Sequence, residues 1–222
     1  MKIDCKYYNW IFVFLLLLLV GGGVLFRFFG GESMFNHSLV GYTRTLKEPP
    51  LRSELDIVFG DSDAELTVFM YADYACRYCK RFFEEVFPEL EKNDRVNIVV
   101  KLVGKSTHPA VQRAQRAAVC IYRYGNYLPL HNLFVFNYLS VYSSVFGVML
   151  DEFISADDYV AQCMLEGESE EYLAANGKEF DSMGFTGTPV FVINNHVYTG
   201  FRSAKDFGKI VEFELSRNGK KR

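Results

Sequence analysis

Cys76 and Cys79 frame Arg77 and Tyr78, a Cys-x-x-Cys spacing. Two thiols this close can close a small redox-active ring, form a static bridge, or hold half of a zinc site. A zinc site would need a second ligand pair, and the chain has no other Cys-x-x-Cys or Cys-x-x-His. Placement raises the redox reading above the other two. The apolar, partly β-branched run Leu66 to Tyr71 ends shortly before Cys76. From Lys80 onward, Phe82, Phe83, Val86, Phe87 and Leu90 recur at helical spacing. The pair therefore falls where a strand passes into a helix. A helix N-terminus offers unpaired N–H groups and positive dipole potential, which stabilise a thiolate. Cys76, nearer that end, is expected to be the exposed nucleophile, and Cys79, one turn in, the partly buried resolving thiol. Arg77 is expected to lower the Cys76 pKa further by its charge. A thiol of lower pKa leaves more readily, so the disulfide is more easily reduced and the protein more oxidising.

A second candidate element is Gly187-Thr188-Pro189, directly before the apolar run Val190 to Ile193. Proline is tolerated as the first residue of a strand. An X–Pro bond can be cis or trans, and the residues leave the isomer of Thr188-Pro189 open. His37, His108, His131 and His196 do not fall at metal-ligand spacings, so surface or packing roles are expected and no metal or cofactor is. Asn36-His37-Ser38 matches a glycosylation sequon, a weak three-residue signal that matters only in a eukaryotic secretory pathway.

These residues must be positioned by an α/β fold. Strand candidates are Asp56 to Phe59, Leu66 to Tyr71 and Val96 to Val103, the last two flanking a helix that Pro88 kinks or ends early. Strand, helix, strand predicts a right-handed crossover in a parallel pair. The interval from His108 to Met183 lacks strand alternation. Its clearer helices are Gln112 to Tyr124, Leu128 to Leu139, and Asp157 to Leu165, the last capped by Asp157 or Asp158. Sheet returns at Pro189 to Ile193, turns at Asn194-Asn195, and continues over His196 to Thr199. Ser203 opens a final helix to about Leu215.

Composition bounds the setting. Among 222 residues, 50% are hydrophobic and 16% aromatic, which excludes a disordered chain. A net charge of −3 argues against an electrostatic nucleic-acid binder. One long apolar run, Trp10 to Phe26, excludes a polytopic membrane protein and sits at the short end of a single span. Lys2 and Lys6 place its N-terminal side in the cytoplasm. Either an uncleaved signal anchor or a cleaved signal peptide fits residues 1–30, and the missing small-x-small cleavage site favours the anchor. In both cases the chain from residue 31 onward is exported. Residues 31–54, poor in apolar side chains and ending near Pro49-Pro50, read as a tether, and 217–222 as a basic, solvated tail.

The segment Tyr71-Ala72-Asp73-Tyr74-Ala75-Cys76-Arg77-Tyr78-Cys79-Lys80-Arg81-Phe82 resembles the active-site segment of DsbA-like thiol–disulfide oxidoreductases. Gly184-Phe185-Thr186-Gly187-Thr188-Pro189-Val190-Phe191-Val192 resembles their cis-proline loop. The resemblance spans about residues 55 to 215 and implies a thioredoxin fold over 55–104 and 184–216, with an inserted helical domain over 105–183. It implies that Cys76 attacks, that Cys79 is its partner, and that Thr188 and Pro189 lie beside the disulfide with Arg77 and Tyr78 as neighbours. It further implies a periplasmic setting, unfolded or reduced exported proteins as substrates, and a membrane redox partner. That partner is of the DsbB type for an oxidase, or of the DsbD type for an isomerase or reductase. A non-catalytic exported binding protein of the same fold is the alternative of another class.

Some DsbA-like proteins hold the inserted domain with a second disulfide. The resemblance therefore implies a Cys120–Cys163 bond, against the alternative of two buried free thiols. Cys5, on the cytoplasmic side of the proposed anchor, should stay reduced. Three positions depart from the family. Met70 stands where many members carry a buried glutamate, six residues before the first cysteine. Tyr78 stands where strongly oxidising members have histidine. Lys101 matches a common basic position, yet with no acid nearby it is expected to be exposed or to have a lowered pKa. The family's proton acceptor for the buried thiol is then absent, or replaced by water, Asp73 or Lys101.

Overall fold

The computed structural model describes residues 41–136 and 141–218. The proposed membrane segment at 1–30, residues 31–40 of the tether, Cys5, His37 and the tail from 219 lie outside the described residues. Among the described residues, no helix is long and apolar enough to cross a membrane.

Among the described residues, six strands form one mixed sheet: β1 (Arg44–Thr45), β2 (Ile57–Phe59), β3 (Leu66–Ala72), β4 (Val96–Leu102), β5 (Val190–Ile193) and β6 (His196–Thr199). Their order is β1-β6-β5-β3-β4-β2. The helices are α1 (Arg77–Glu85), α2 (Phe87–Leu90), α3 (Pro109–Tyr124), α4 (Tyr127–Phe136), α5 (Ser144–Ser155), α6 (Asp158–Glu166), α7 (Glu168–Ser182) and α8 (Ala204–Asn218). β3 and β4 are parallel, with Leu66 opposite Val96 and Ala72 opposite Leu102, and the other pairs are antiparallel. Every residue of β4 is buried, which is why its sequence reads as a continuous run rather than an alternation.

The amphipathic run after Cys76 divides at Val86. Pro88 lies in the first turn of α2, where its missing N–H is no loss, but it cannot extend α1. Phe82 of α1 packs against Phe191 of β5 at 4.8 Å and against Phe207 of α8 at 5.3 Å between ring centroids. In register, Met70 lies opposite Phe191, so α1 and α8 cover the sheet face that carries Met70. The other face carries Tyr71, Val190, Val192 and Val197, packed with Phe180 of α7 and with Phe185. At the hairpin between β5 and β6, Asn194 and Asn195 have φ of 47° and 68°, the left-handed pair a two-residue turn requires.

In the insert, Val111, Ala114, Ala118 and Ile121 form the buried stripe of α3. Asp157 caps α6 by accepting from the Tyr159 and Val160 amides. Helices α5 and α7 do not stand out in the sequence because their periodicity is blurred. Helix α5 leaves Val145 and Val148 exposed, and α7 buries Ser169, Asn176 and Gly177 beside Tyr172 and Leu173. The Asn176 amide meets its hydrogen-bonding need at Leu102 O, 3.1 Å away.

The tether expected over 31–54 is corrected over its described part. The Thr43 N–H donates to Val197 O at 2.8 Å and the Leu46 N–H to Asn195 O at 2.7 Å, laying β1 along the edge of β6. Tyr42 stacks on His196 at 4.2 Å. Backbone pairing to an otherwise open edge needs no apolar composition, so the low hydrophobicity of this stretch was no guide.

Candidate redox site

Strand β3 ends at Ala72, and Asp73 turns the chain into α1. The Asp73 carboxylate accepts the Ala75 N–H at 2.7 Å, and the Asp73 carbonyl accepts the Cys76 N–H at 2.9 Å. This Asx-type turn leaves Cys76 in extended backbone as the N-cap of α1. Cys76 is half-buried and Cys79, inside the first turn, is 2% exposed; both are free thiols. The Thr188-Pro189 bond is cis, and the Cys76 Sγ lies 3.2 Å from the Thr188 carbonyl oxygen. Two motifs far apart in the chain thus meet at one sulfur, because β5 runs beside β3 with Val190 opposite Tyr71.

The two thiols are driven apart in acidity. The Cys76 thiol is lowered to about 5, chiefly by the hydrogen bond from the Cys79 thiol. Partial burial opposes this, while the Thr188 side chain and the Cys79 and Tyr78 amides support it. Cys79 is raised well above the ordinary thiol value, first by burial, then by its bond to Cys76 and that sulfur's charge. Near neutrality the reduced pair is one thiolate at Cys76 and one thiol at Cys79.

The role expected of Arg77 is corrected. Its guanidinium donates to the Tyr78 hydroxyl at 2.7 Å and lies over the Tyr78 ring at 4.6 Å. Hydrogen-bond donors lead the lowering of the Cys76 pKa, and Arg77 is not among the causes. The expectation for Lys101 is corrected too. It is 2% exposed and pairs with Asp56 at 3.4 Å and Glu179 at 3.3 Å, and it donates to Leu51 O at 2.6 Å. The Tyr172 hydroxyl completes the cluster at Asp56, 2.7 Å away. Lys101 lies opposite Tyr71 in register, so it points to the α7 face and not beneath α1. Its acids come from other elements, which spacing along one strand could not reveal.

In the insert, Cys120 of α3 and Cys163 of α6 are joined, with S–S 2.05 Å and Cα–Cα 5.7 Å. Among the described residues, no cluster of His, Cys, Asp or Glu could hold a metal ion. His108 caps α3, His131 is buried and pushed down to about 4 by desolvation, and His196 bonds Glu214 at 2.6 Å.

Three contributors to the site were not singled out by sequence. Thr43 and Arg44 of the edge strand join Tyr78, Phe185 and the Gly187-Thr188-Pro189 loop in lining a groove of about 510 Å³. Tyr74 stacks on Phe134 of α4 at 3.8 Å, tying the active-site turn to the insert. Gln115, fully buried in α3, donates to Val103 O at 3.3 Å and is among the influences that lower the Asp73 pKa. A polar residue within the apolar stripe of α3 was the readable signal for Gln115; nothing local marked the other two.

The family model described as Thioredoxin (Thioredoxin_4) matches residues 52–213. The chain belongs to that family. Its fold is the DsbA-like kind, in which a helical domain interrupts the thioredoxin sheet. A thioredoxin-like oxidoreductase from Silicibacter pomeroyi DSS-3 is 22% identical with a TM-score of 0.64, over 72% of this chain and 92% of that one. A periplasmic thioredoxin-like protein from Salmonella enterica serovar Typhimurium is 18% identical with a TM-score of 0.60, over 83% and 98%. Wolbachia pipientis alpha-DsbA1 is 18% identical with a TM-score of 0.62, over 77% and 96%. No curated protein matches the sequence.

Proposed function

We propose that this thioredoxin-family member is an enzyme, an exported thiol–disulfide oxidoreductase that introduces disulfides into substrate proteins through Cys76 and Cys79. The observation that carries the reading is the geometry of the pair: half-buried Cys76 caps α1 with its Sγ 3.2 Å from the Thr188 carbonyl oxygen, one turn from buried Cys79, and this drives the two thiols apart in acidity. In the forward reaction a substrate thiolate attacks the Cys76 Sγ of the Cys76–Cys79 disulfide. The S–S bond breaks and Cys79 leaves with the electron pair and is protonated. A second substrate thiolate then attacks the substrate sulfur of the mixed disulfide, and Cys76 leaves as a thiolate. The substrate is oxidised by two electrons and the protein pair is reduced. A stabilised Cys76 thiolate favours both release and net oxidation of substrate.

The groove beside Cys76 supports an extended peptide as the substrate. It combines the exposed Tyr78 ring with backbone of the Thr188-Pro189 loop and the β1 edge. In this reading a DsbB-type membrane partner at the periplasmic face re-oxidises the pair; the family resemblance and the apolar N-terminal run support it. Tyr78, in place of the histidine of strongly oxidising members, and Thr188, a residue type seen before the proline in isomerase-like relatives too, favour the second reading, an isomerase or reductase. The test is oxidative refolding of a reduced model protein. The full chain in detergent is expected to form its disulfides, and Cys76→Ala to leave only the background rate. Full activity in Cys76→Ala would end the enzyme reading.

A further inference from the structure

The groove of about 510 Å³ at Tyr78 and the Thr188-Pro189 loop carries a single formal charge among its lining residues, that of Arg44. The edge strand β1 sets where this charge stands. Arg44 lies opposite Val197 in register, and Val197 packs on the sheet face that carries Phe185. Side chains opposite one another on paired strands share a face. Arg44 therefore extends over Phe185 to the rim of the groove. Its backbone is pinned on both sides, by the Thr43 N–H donating to Val197 O at 2.8 Å and the Leu46 N–H to Asn195 O at 2.7 Å.

The Arg44 side chain is held as well. Its guanidinium donates to the Met183 carbonyl and lies 5.3 Å from the centroid of the Phe185 ring. Its two terminal nitrogens pass 3.5 and 3.7 Å from the point that a Cβ on Gly184 would occupy, so the group rests on bare backbone. None of these partners is charged. The contrast is with Arg81 of α1, whose guanidinium is paired with Glu85 at 2.8 Å. Arg44 is exposed, and a guanidinium has five N–H donors, more than one carbonyl can occupy. A planar fork held in place before binding loses little freedom when it meets a carboxylate, and it can do so with two parallel hydrogen bonds.

We propose that Arg44 makes the groove select substrate segments that carry an acidic side chain close to the reacting cysteine, an inference that rests on the oxidoreductase reading. The substrate carboxylate pairs with the Arg44 guanidinium while the substrate sulfur reaches Cys76. Arg44 selects and orients, and takes no part in the exchange of sulfur bonds. The net charge of the chain is −3, so its long-range field favours cationic substrates. A preference for acid therefore reports a local contact and not the field of the whole molecule.

The test uses the oxidised full chain in detergent and short peptides, acetylated and amidated, with one cysteine and no other charge. Glu, Gln or Lys is placed in turn at each of three positions on either side of the cysteine. Two peptide thiols reduce the Cys76–Cys79 disulfide and leave as a peptide disulfide, and thiol trapping follows the rate. Comparing the Glu-to-Gln rate ratio between proteins cancels the effect of Glu on the peptide thiol itself. At one or two neighbouring positions the unmodified protein is expected to favour Glu about 3- to 5-fold, the upper range for an exposed ion pair. The preference should appear in KM and should shrink at high salt. Arg44→Gln should bring the ratio to unity, Arg44→Lys should restore part of it, and Arg44→Glu should favour Lys instead. A ratio of unity at every position in the unmodified protein, or a Glu preference that Arg44→Gln leaves unchanged, would overturn the inference while the oxidoreductase reading stands. No exchange with any peptide by the unmodified protein would overturn both.

Discussion

The molecule carries two cysteine pairs in opposite circumstances. Cys76 caps a helix at the surface, three residues from its partner, beside the Thr188 carbonyl. Cys120 and Cys163 sit inside α3 and α6, both buried, closing a loop of 43 residues. A sulfur at a helix start is exposed to attack and stabilised as a leaving thiolate. A sulfur in a helix interior, sealed by packing, is neither. Reactivity follows from position relative to helix ends and solvent, and not from the presence of two cysteines.

The largest effect should separate the pairs outright. Cys79→Ala is expected to abolish oxidation of reduced substrate and, given a substrate disulfide, to accumulate a mixed disulfide as the Cys76 thiolate attacks one sulfur and the other leaves as a thiolate, seen by mass spectrometry under non-reducing conditions. The double variant Cys120→Ala/Cys163→Ala should do the reverse and keep its exchange rate. It should lose roughly 3–4 kcal/mol of stability, the loop-entropy estimate for a loop of this length. Urea denaturation of the double variant beside the oxidised parent measures it; an unchanged midpoint would remove the structural role.

Acidity sharpens the same contrast. Alkylation of the reduced protein by iodoacetamide should titrate with a midpoint near 5, the Cys76 value, so the rate is nearly flat from pH 7 to 8. Because the folded value lies below the ordinary thiol value of 9.0, the thiolate's contribution to the reduced fold is full above pH 9. It is lost as pH falls toward about 5. The Cys120–Cys163 bridge contributes no such titration.

A smaller effect belongs to His131, held neutral among Phe83, Phe59 and Tyr127. Its pKa is depressed from 6.5 to about 4, so its contribution is full above pH 6.5 and is lost as pH falls toward 4. Thermal melts of His131→Phe should show a flatter decline over that window than the parent.

Much of this was readable from sequence where a local signal coincided with a structural need. The buried run over β3 and β4, the amphipathic α1 and the Asn194-Asn195 hairpin each announce themselves within a few residues. What was not readable depends on the third dimension. The acids around Lys101 come from Asp56 and Glu179, on segments remote in the chain. The Arg77 charge is spent on its neighbour Tyr78, a rotamer choice that sequence does not specify. The edge strand β1 is held by backbone hydrogen bonds, which leave no compositional trace. Of the alternatives to the missing glutamate, the register of β4 removes Lys101 from beneath α1.

In the proposed function, the Cys76–Cys79 pair oxidises substrates because its reduced form is stabilised. Equilibrating the pair with defined mixtures of reduced and oxidised glutathione tests this directly. The expected potential lies toward the DsbA end, about −120 mV, and a value near that of thioredoxin, about −270 mV, would contradict the oxidase account.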